Sequence, residues 1–516
     1  GVLAAERVVV TDDGAGLAQA VVSKLAEGGV KATVVAQVPA DANVVIFLGG
    51  MRAVGSVDEA VAVNREAFRA TRAVAARFAT DGGVLVTVQD TSGDFGLSGK
   101  DATRAWLGGV SALARTAARE WPTASVKAID CERGGRSVDA VAAAIAEEIL
   151  GGGSTLEVGL HADGKRTTLA SVPTVCAAGS TLRIGADSVV VASGGARGVT
   201  AAALIALAAA KHPRIVLLGR TAVEDEAPAL RAIADEPGLK RAIVQRMQAE
   251  GKKPVPADVS GEAFRILANR EIRSTLAAIK AAGSEVRYVA VDVQNAAAIS
   301  TALDAVRKDW GKITAVVHAA GVLADKRIHE KTDEQFDRVF DTKVTGLRAL
   351  LAATATDPLT AICLFSSIAA RTGNLGQCDY AMANEVLNLV GCAERARRGD
   401  ACVVRSIGWG PWEGGMVTPN LKTHFEQMGV ALIPLDLGAR MFVAEMEGGG
   451  TDVTVVVGGT SGEGAFGATV APNVSVEVRV SASSHPYLTD HRVAGVPVVP
   501  VTLALEWMLR GARACR

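Results

Sequence analysis

Tyrosine is nearly absent from this chain. Its 516 residues contain three, Tyr288, Tyr380 and Tyr487, so residues 1–287 have no phenol with which to do acid–base chemistry. Cysteine is sparse and scattered (Cys131, Cys176, Cys363, Cys378, Cys392, Cys402, Cys515), with no CxxC pair and no metal-ligand spacing. That argues against a zinc site or a disulfide framework, and fits reduced thiols of a cytoplasmic protein. Excess charge is missing too: the formal net charge is -1, which leaves no electrostatic footprint for nucleic acid or an anionic membrane. The longest apolar stretch, Val199 to Ala210, is too short to span a bilayer. No basic-then-apolar leader opens the chain, and it starts on Gly1 rather than Met, as an excised piece would.

What is present is a composition for packing. Hydrophobic residues make up 49% and charged residues 21%, and the length calls for two or three cores rather than one. Apolar runs alternate with Ala-rich helical runs, the pattern of a parallel α/β sheet. Strands are expected at Ser188–Ala192, Ile215–Leu218, Val286–Val291, Ala315–His318, Ala361–Phe365 and Ala401–Ile407, with a helix over Val199–Lys211. The first half echoes this order more faintly, in Val8–Val10 before Thr11-Asp12-Asp13-Gly14-Ala15-Gly16, in Val44–Leu48, and in Val84–Val88. Gly99–Trp106 parallels Gly376–Ala383. The two halves therefore read as a degenerate repeat, the alternative being two unrelated Rossmann-like units. About 65 residues separate Arg220 from Val286, far more than a crossover needs. Helical spacing at 238–251 and 261–283 marks a helical insertion at about 224–283, expected to be a solvated cap rather than a second catalytic site.

The loop Ser193-Gly194-Gly195-Ala196-Arg197-Gly198 follows a strand and opens a helix, which suits a pyrophosphate resting on a helix N-terminus. The fingerprint is partial, since Thr200 stands where a third glycine is usual. A packing turn would also account for it. Arg197 and Arg220 supply cations near the expected ribose, which favours a 2′-phosphate and hence NADPH over NADH. Further on, Ser366-Ser367 ends a strand, Tyr380 follows Ser367 by thirteen residues, and Asn384 sits one helical turn after Tyr380. A carbonyl that accepts hydride needs a proton donor, and a phenol of pKa about 10 donates well only beside a cation. The broad short-chain dehydrogenase/reductase pattern has that cation as a Lys four residues after the Tyr, where this chain has Asn384.

Lys343, in Asp341-Thr342-Lys343-Val344-Thr345-Gly346, restores the set. The exchange of Lys and Asn resembles the ketoreductase domains of polyketide synthases and animal-type fatty acid synthases. The resemblance runs through His318-Ala319-Ala320-Gly321, Phe365-Ser366-Ser367, Gly376-Gln377, Tyr380–Asn384 and Trp409-Gly410-Pro411-Trp412, roughly residues 185 to 460. It implies that Tyr380 donates the proton and Ser367 hydrogen-bonds the substrate carbonyl. Lys343 lowers the Tyr380 pKa and holds cofactor hydroxyls, while Asn384 anchors the network. It also implies cofactor contacts at Gly194, Gly195, Arg197, Gly198, Arg220, Asp292, Ala319, Ala320, Gly321, Lys343 and Tyr380. Leu323-Ala324-Asp325 resembles the Leu-Asp-Asp signature of reductases giving the 3R alcohol, and Thr372 stands where the opposite class has Trp. Asp325 would equally serve as a helix cap.

The first half then resembles the truncated, non-catalytic Rossmann unit that such reductases carry. Thr103 stands where Tyr380 does, and Asp12 and Asp13 would repel a pyrophosphate. The insertion, the loop and the tail look like the large component of polyunsaturated fatty acid synthases. In the tail, His491 to Pro500 resembles the HxxxGxxxxP opening of a hotdog-fold dehydratase with His491 as its base, although the chain ends before an acidic partner.

The expectation is thus an α/β protein with two Rossmann-like subdomains and a short hotdog-like fragment. Their bounds are 1–184 (structural), 185–460 (catalytic, NADPH-binding) and 466–516 (dehydratase-like), with residues 458–464 as a linker and no metal. The substrate would be a 3-oxoacyl thioester on an acyl carrier protein, with dehydratase and ketosynthase domains as neighbours. A short-chain dehydrogenase acting on a free ketone, and a reductase-like scaffold without activity, are the rival readings.

Overall fold

A computed structural model of the chain describes residues 5, 7–174, 183–414, 431–448, 450–458, 492–493, 496–497 and 507. These residues divide into one unit that ends at Gly458 and a second that starts at Gly459.

The first unit holds two seven-stranded sheets. One consists of β1 (Val8–Thr11), β2 (Ala32–Val35), β3 (Val44–Gly50), β4 (Val84–Gln89), β5 (Ser125–Cys131), β6 (Glu157–Leu160) and β7 (Arg166–Thr167), in the order 2-1-3-4-5-6-7. The other consists of β8 (Val189–Ser193), β9 (Arg214–Gly219), β10 (Val286–Ala290), β11 (Ala315–His318), β12 (Ala361–Ser367), β13 (Val403–Trp409) and β14 (Thr454–Val457), in the order 10-9-8-11-12-13-14. Every pairing is parallel except that of β6 with β7. If β10 is removed, the first six strands of the first sheet match the second sheet strand for strand. The degenerate repeat is therefore real in topology, and the first copy lacks the β10 unit along with the inserted helices. The central strands carry Val and Ile on both faces because helices cover both sides of a parallel sheet.

The halves meet through equivalent helices. Helix Val57–Asp81 faces helix Asp333–Ala353, where Phe68 stacks on Phe336 at 4.5 Å between centroids. Such a ring pair adds about 0.5–1.5 kcal/mol beyond area burial. Helix Gly109–Glu120 packs on helix Cys378–Arg398, and one apolar core runs through Phe68, Leu113, Trp121, Phe336 and Leu389. At its centre Arg115 is fully buried. It bonds Glu157 at 2.9 Å and Glu385 at 2.7 Å, and Arg371 bridges the same two carboxylates.

The insertion differs in part from its expected form. Its helices are Glu236–Ala249 and Pro256–Ala281. The second starts earlier than helical spacing suggested, because Pro256 sits at a first-turn position that needs no N–H partner. It is also not a solvated cap throughout. Val259 and Ala263 form a small core with Leu230, Leu239 and Ile243, but Ile272 and Ile279, seven residues apart on one face, belong to a second core of the β8–β14 sheet with Leu204 and Ile215. The last turns are the crossover helix that β9 and β10 require, so only the part before them is extra.

In the second unit, Arg492–Val493 pairs antiparallel with Val496–Pro497. His491 and residues 459–464 lie outside the described residues.

Candidate active site

Sheet order reverses at β8, whose neighbours are β9 and β11, and clefts for ligands open at the carboxyl ends of strands at such a point. Gly194 leaves β8 with φ +74, and a Cβ there would lie 2.8 Å from the N and Cα of Ala320. Only glycine lets this loop lie against the Ala319–Gly321 loop. Gly198 then opens helix Gly198–Lys211. Its N–H donates to Glu271 at 2.8 Å, and Arg197 Nε donates to the same carboxylate at 2.9 Å while lying 5.0 Å over the Phe264 ring. Both donors at this helix start are thus taken by one carboxylate of helix Pro256–Ala281. These donors fit a dinucleotide pyrophosphate once Glu271 withdraws. Arg197 is accordingly not the free cation that sequence suggested. Arg220 and Asp292 follow β9 and β10 and are exposed, with Asp292 capping its own turn through the Gln294 N–H at 3.0 Å.

The four residues of the exchanged set converge below this loop. Ser367 ends β12, Tyr380 is the third residue of helix Cys378–Arg398, Asn384 is one turn later, and Lys343 arrives from helix Asp333–Ala353. Lys343 Nζ lies 5.5 Å from the Tyr380 ring centroid and donates to the Phe365 carbonyl at 2.9 Å. It is buried, and a Cβ on Gly321 would press its Cε at 3.1 Å, which explains the glycine. Burial pushes the Lys343 pKa down to about 7. Burial raises the Tyr380 phenol, the Asn384 amide and Ser367 hydroxyl draw it back, and Asp325 raises it again. Asn384 donates to the Tyr380 carbonyl at 2.8 Å, and its Oδ1 is buried without a partner. Of the other tyrosines, Tyr288 gives its hydroxyl to the Thr221 carbonyl at 2.7 Å, and Tyr487 lies outside the described residues.

Several positioning groups were not singled out by sequence. His318 is fully buried, 2.7 Å from the Ser193 hydroxyl through Nδ1 and 2.8 Å from the Lys343 carbonyl through Nε2. A carbonyl only accepts, so Nε2 carries the proton and Nδ1 accepts from Ser193. Burial holds this imidazole neutral, with its pKa lowered to about 3. Lys331 and Asp379 form an ion pair at 2.6 Å that is closed to solvent, and Lys331 also holds the Ala324 carbonyl beside Asp325. Asp325 itself accepts from Gln377 at 3.0 Å. An apolar strand ending in His was the one available signal among these.

In the first half the equivalent places are filled by the chain's own side chains. Asp13, buried, accepts from the Ala18 N–H at 3.0 Å, so its own loop fills the helix N-terminus. Arg104, beside Thr103, donates to the carbonyls of Gly50, Arg52 and Asp90, filling the end of that sheet with a side chain.

Known proteins resemble this chain along most of its length. Residues 188–414 match the family described as KR domain, and residues 467–516 the polyketide synthase dehydratase domain. A polyunsaturated fatty acid synthase polypeptide of Thraustochytrium is 36% identical over 422 residues, which is 79% of this chain and 15% of that protein. The polyketide synthase GfsB of Streptomyces halstedii is 36% identical over 182 residues, 34% of this chain and 3% of that protein. The chain thus spans a small part of these curated relatives. An A1-type ketoreductase structure aligns with TM-score 0.64 at 19% identity, covering 89% of this chain and 90% of that one. The first ketoreductase of the tylosin synthase aligns with TM-score 0.63 at 22% identity, covering 88% and 90%. No described helix is long and apolar enough to cross a membrane.

Proposed function

From the premise that this chain carries a ketoreductase domain of the polyketide-synthase kind, followed by the start of a dehydratase domain, we propose that it reduces the 3-keto group of an acyl-carrier-protein thioester with NADPH to a (3R)-hydroxyacyl product. The observation that carries this reading is the convergence of Lys343, Ser367, Tyr380 and Asn384 near a glycine loop whose helix-start N–H is bonded to a carboxylate. Gly194, Gly195, Arg197, Gly198, Arg220, Asp292 and Ala319–Gly321 would hold the cofactor. When bound, NADPH supplies the hydride.

The chain's own residues do the rest. Ser367 and the Tyr380 hydroxyl hold the carbonyl oxygen, and Tyr380 gives it a proton as the alcohol forms. Lys343, as its ammonium, favours the phenolate left behind, since an opposite charge nearby stabilises an ionised phenol. Asn384 fixes the helix turn that presents Tyr380, with its free Oδ1 as an acceptor at the site. The Leu323–Asp325 loop, held to Gln377, is the stereocontrol element. Residues 1–184 serve as the non-catalytic half, 185–460 as the catalytic one, and 466–516 as the opening of the neighbouring domain. The dehydratase-family match and the 36% identity to a polyunsaturated fatty acid synthase support a multidomain synthase rather than a free-ketone dehydrogenase.

The test is NADPH oxidation with a 3-oxoacyl N-acetylcysteamine thioester. Wild type turns over, and Tyr380→Phe loses about 100-fold or more in kcat while binding NADPH normally, as expected for loss of general-acid catalysis. Equal rates in the two proteins refute the mechanism, and no turnover by wild type refutes the substrate class.

A further inference from the structure

We infer that Glu120, in the non-catalytic half, is a positioning residue of the active site, setting the substrate loops that flank Tyr380. This rests on the reductase reading above. Glu120 is the last residue of helix Gly109–Glu120 and is buried. Its Oε2 accepts the Ile328 N–H and its Oε1 the Gly376 N–H, each at 2.9 Å. Ile328 follows Asp325 by three residues, and Gly376 precedes Tyr380 by four. One carboxylate therefore joins the stereocontrol loop to the loop that starts the catalytic helix.

Three further observations make this more than an interface contact. Glu120 makes no ion pair among the described residues, so both oxygens are spent on these two amides. The two loops also hold each other, through Lys326 N–H to the Gly376 carbonyl and Gln377 to Asp325, both at 3.0 Å. Neighbouring side chains of the same helix hold the rest of the second loop, Arg115 on the Ala370 carbonyl and Arg119 on the Thr372 carbonyl at 2.5 Å. Gly376 sits at φ +77, a conformation other residues rarely adopt, so its N–H has one fixed direction. An acceptor with two oxygens of equal charge suits two donors from separate loops. An amide would turn an N–H toward one of them. Slack of even 1 Å in reacting geometry is enough to cost a large part of a rate.

The experiment compares wild type, Glu120→Gln and Asp58→Ala in the whole chain, the last removing an exposed ion pair with Arg348 elsewhere between the halves. Amide hydrogen exchange at Ile328 and Gly376, steady-state kinetics with NADPH and the thioester, and product enantiomer ratio are measured. In Glu120→Gln both amides are expected to exchange about tenfold faster, with kcat down about tenfold and the minor enantiomer up about fivefold. NADPH affinity stays at the wild-type value, and Asp58→Ala leaves all readouts unchanged. Unaltered exchange and enantiomer ratio in Glu120→Gln overturn the inference, and so does an equal effect from Asp58→Ala. If Glu120→Gln does not fold, Glu120→Asp, one methylene too short to reach both amides, is judged by the same readouts. If wild type does not reduce the thioester, the functional reading has failed, and the exchange rates alone still decide what Glu120 does.

Discussion

Glu271 accepts the N–H of Gly198 at 2.8 Å, at the helix start where the proposed cofactor would place a phosphate. The carboxylate is 45% exposed, so it can swing away, unlike the fully buried Asp13 at the equivalent place in the first half. Two anions do not share one helix N-terminus. Glu271→Ala is therefore expected to tighten NADPH binding by about two- to fivefold at low salt, since each charge at such a site is worth about 0.3–1 kcal/mol. Fluorescence titration at two salt concentrations checks this, with the gain shrinking at the higher one.

One cofactor should bind per chain. The first half closes the start of helix Leu17–Glu27 with Asp13 and fills its sheet end with Arg104. Isothermal titration with NADPH is expected to give a stoichiometry of about one, because the glycine loop of the second half holds an exposed, displaceable carboxylate where that of the first holds the buried Asp13.

Lys343 makes activity and stability depend on pH in opposite senses. Its folded pKa lies near 7, against 10.5 for the ordinary side chain. Above about 7 the ammonium is lost, so kcat/KM falls as pH rises through that value. Stability moves the other way. Between about 7 and 10.5 the unfolded lysine binds the proton that the folded one does not, so stability rises with pH. Lys343→Met is expected to abolish turnover and to flatten this rise. Melting temperatures from pH 6 to 9 for both proteins check it.

The ring of Arg115, Glu157, Glu385 and Arg371 ties the halves together, with Arg115 and Glu385 buried and Glu157 and Arg371 partly exposed. Arg115→Met leaves Glu385, 2% exposed, with Arg371 as its remaining cation. Removing one partner from a buried ionic group costs about 3–5 kcal/mol, so the midpoint of urea unfolding should drop sharply. A change below about 0.5 kcal/mol, the range of ordinary surface substitutions, would refute a stabilising role for the ring.

Much of the second sheet was legible because each of its strands is an apolar run set off by glycine or charge. Ala315–His318 lies at its expected bounds, and Arg214–Gly219 and Ala361–Ser367 extend theirs by one or two residues. The weaker strands Ala32–Val35, Ser125–Cys131 and Glu157–Leu160 do not stand out in the sequence. Two of them have four residues, and Ser125–Cys131 mixes Ser, Lys and Asp into its run, so their pairing depends on neighbours distant in the chain. Helix Pro256–Ala281 was legible as a helix but not as core, because a helical period does not say which sheet its apolar face will meet.

Sequence by itself determined the chemistry on offer. A phenol thirteen residues after Ser367, a Lys and an Asn in exchanged places and a glycine loop after a strand limit the reaction, because residue type and local spacing set what each group can do. Tertiary structure alone decided which charges are spent and which are free. Arg197 looked like a cofactor cation until Glu271, 74 residues away in sequence, was found on it. Nothing in the local sequence marks Glu120, whose carboxylate is shared by the N–H groups of Ile328 and Gly376, more than two hundred residues on. Ion pairs and backbone caps depend on distances of a few ångströms between distant segments, and no local pattern encodes those distances.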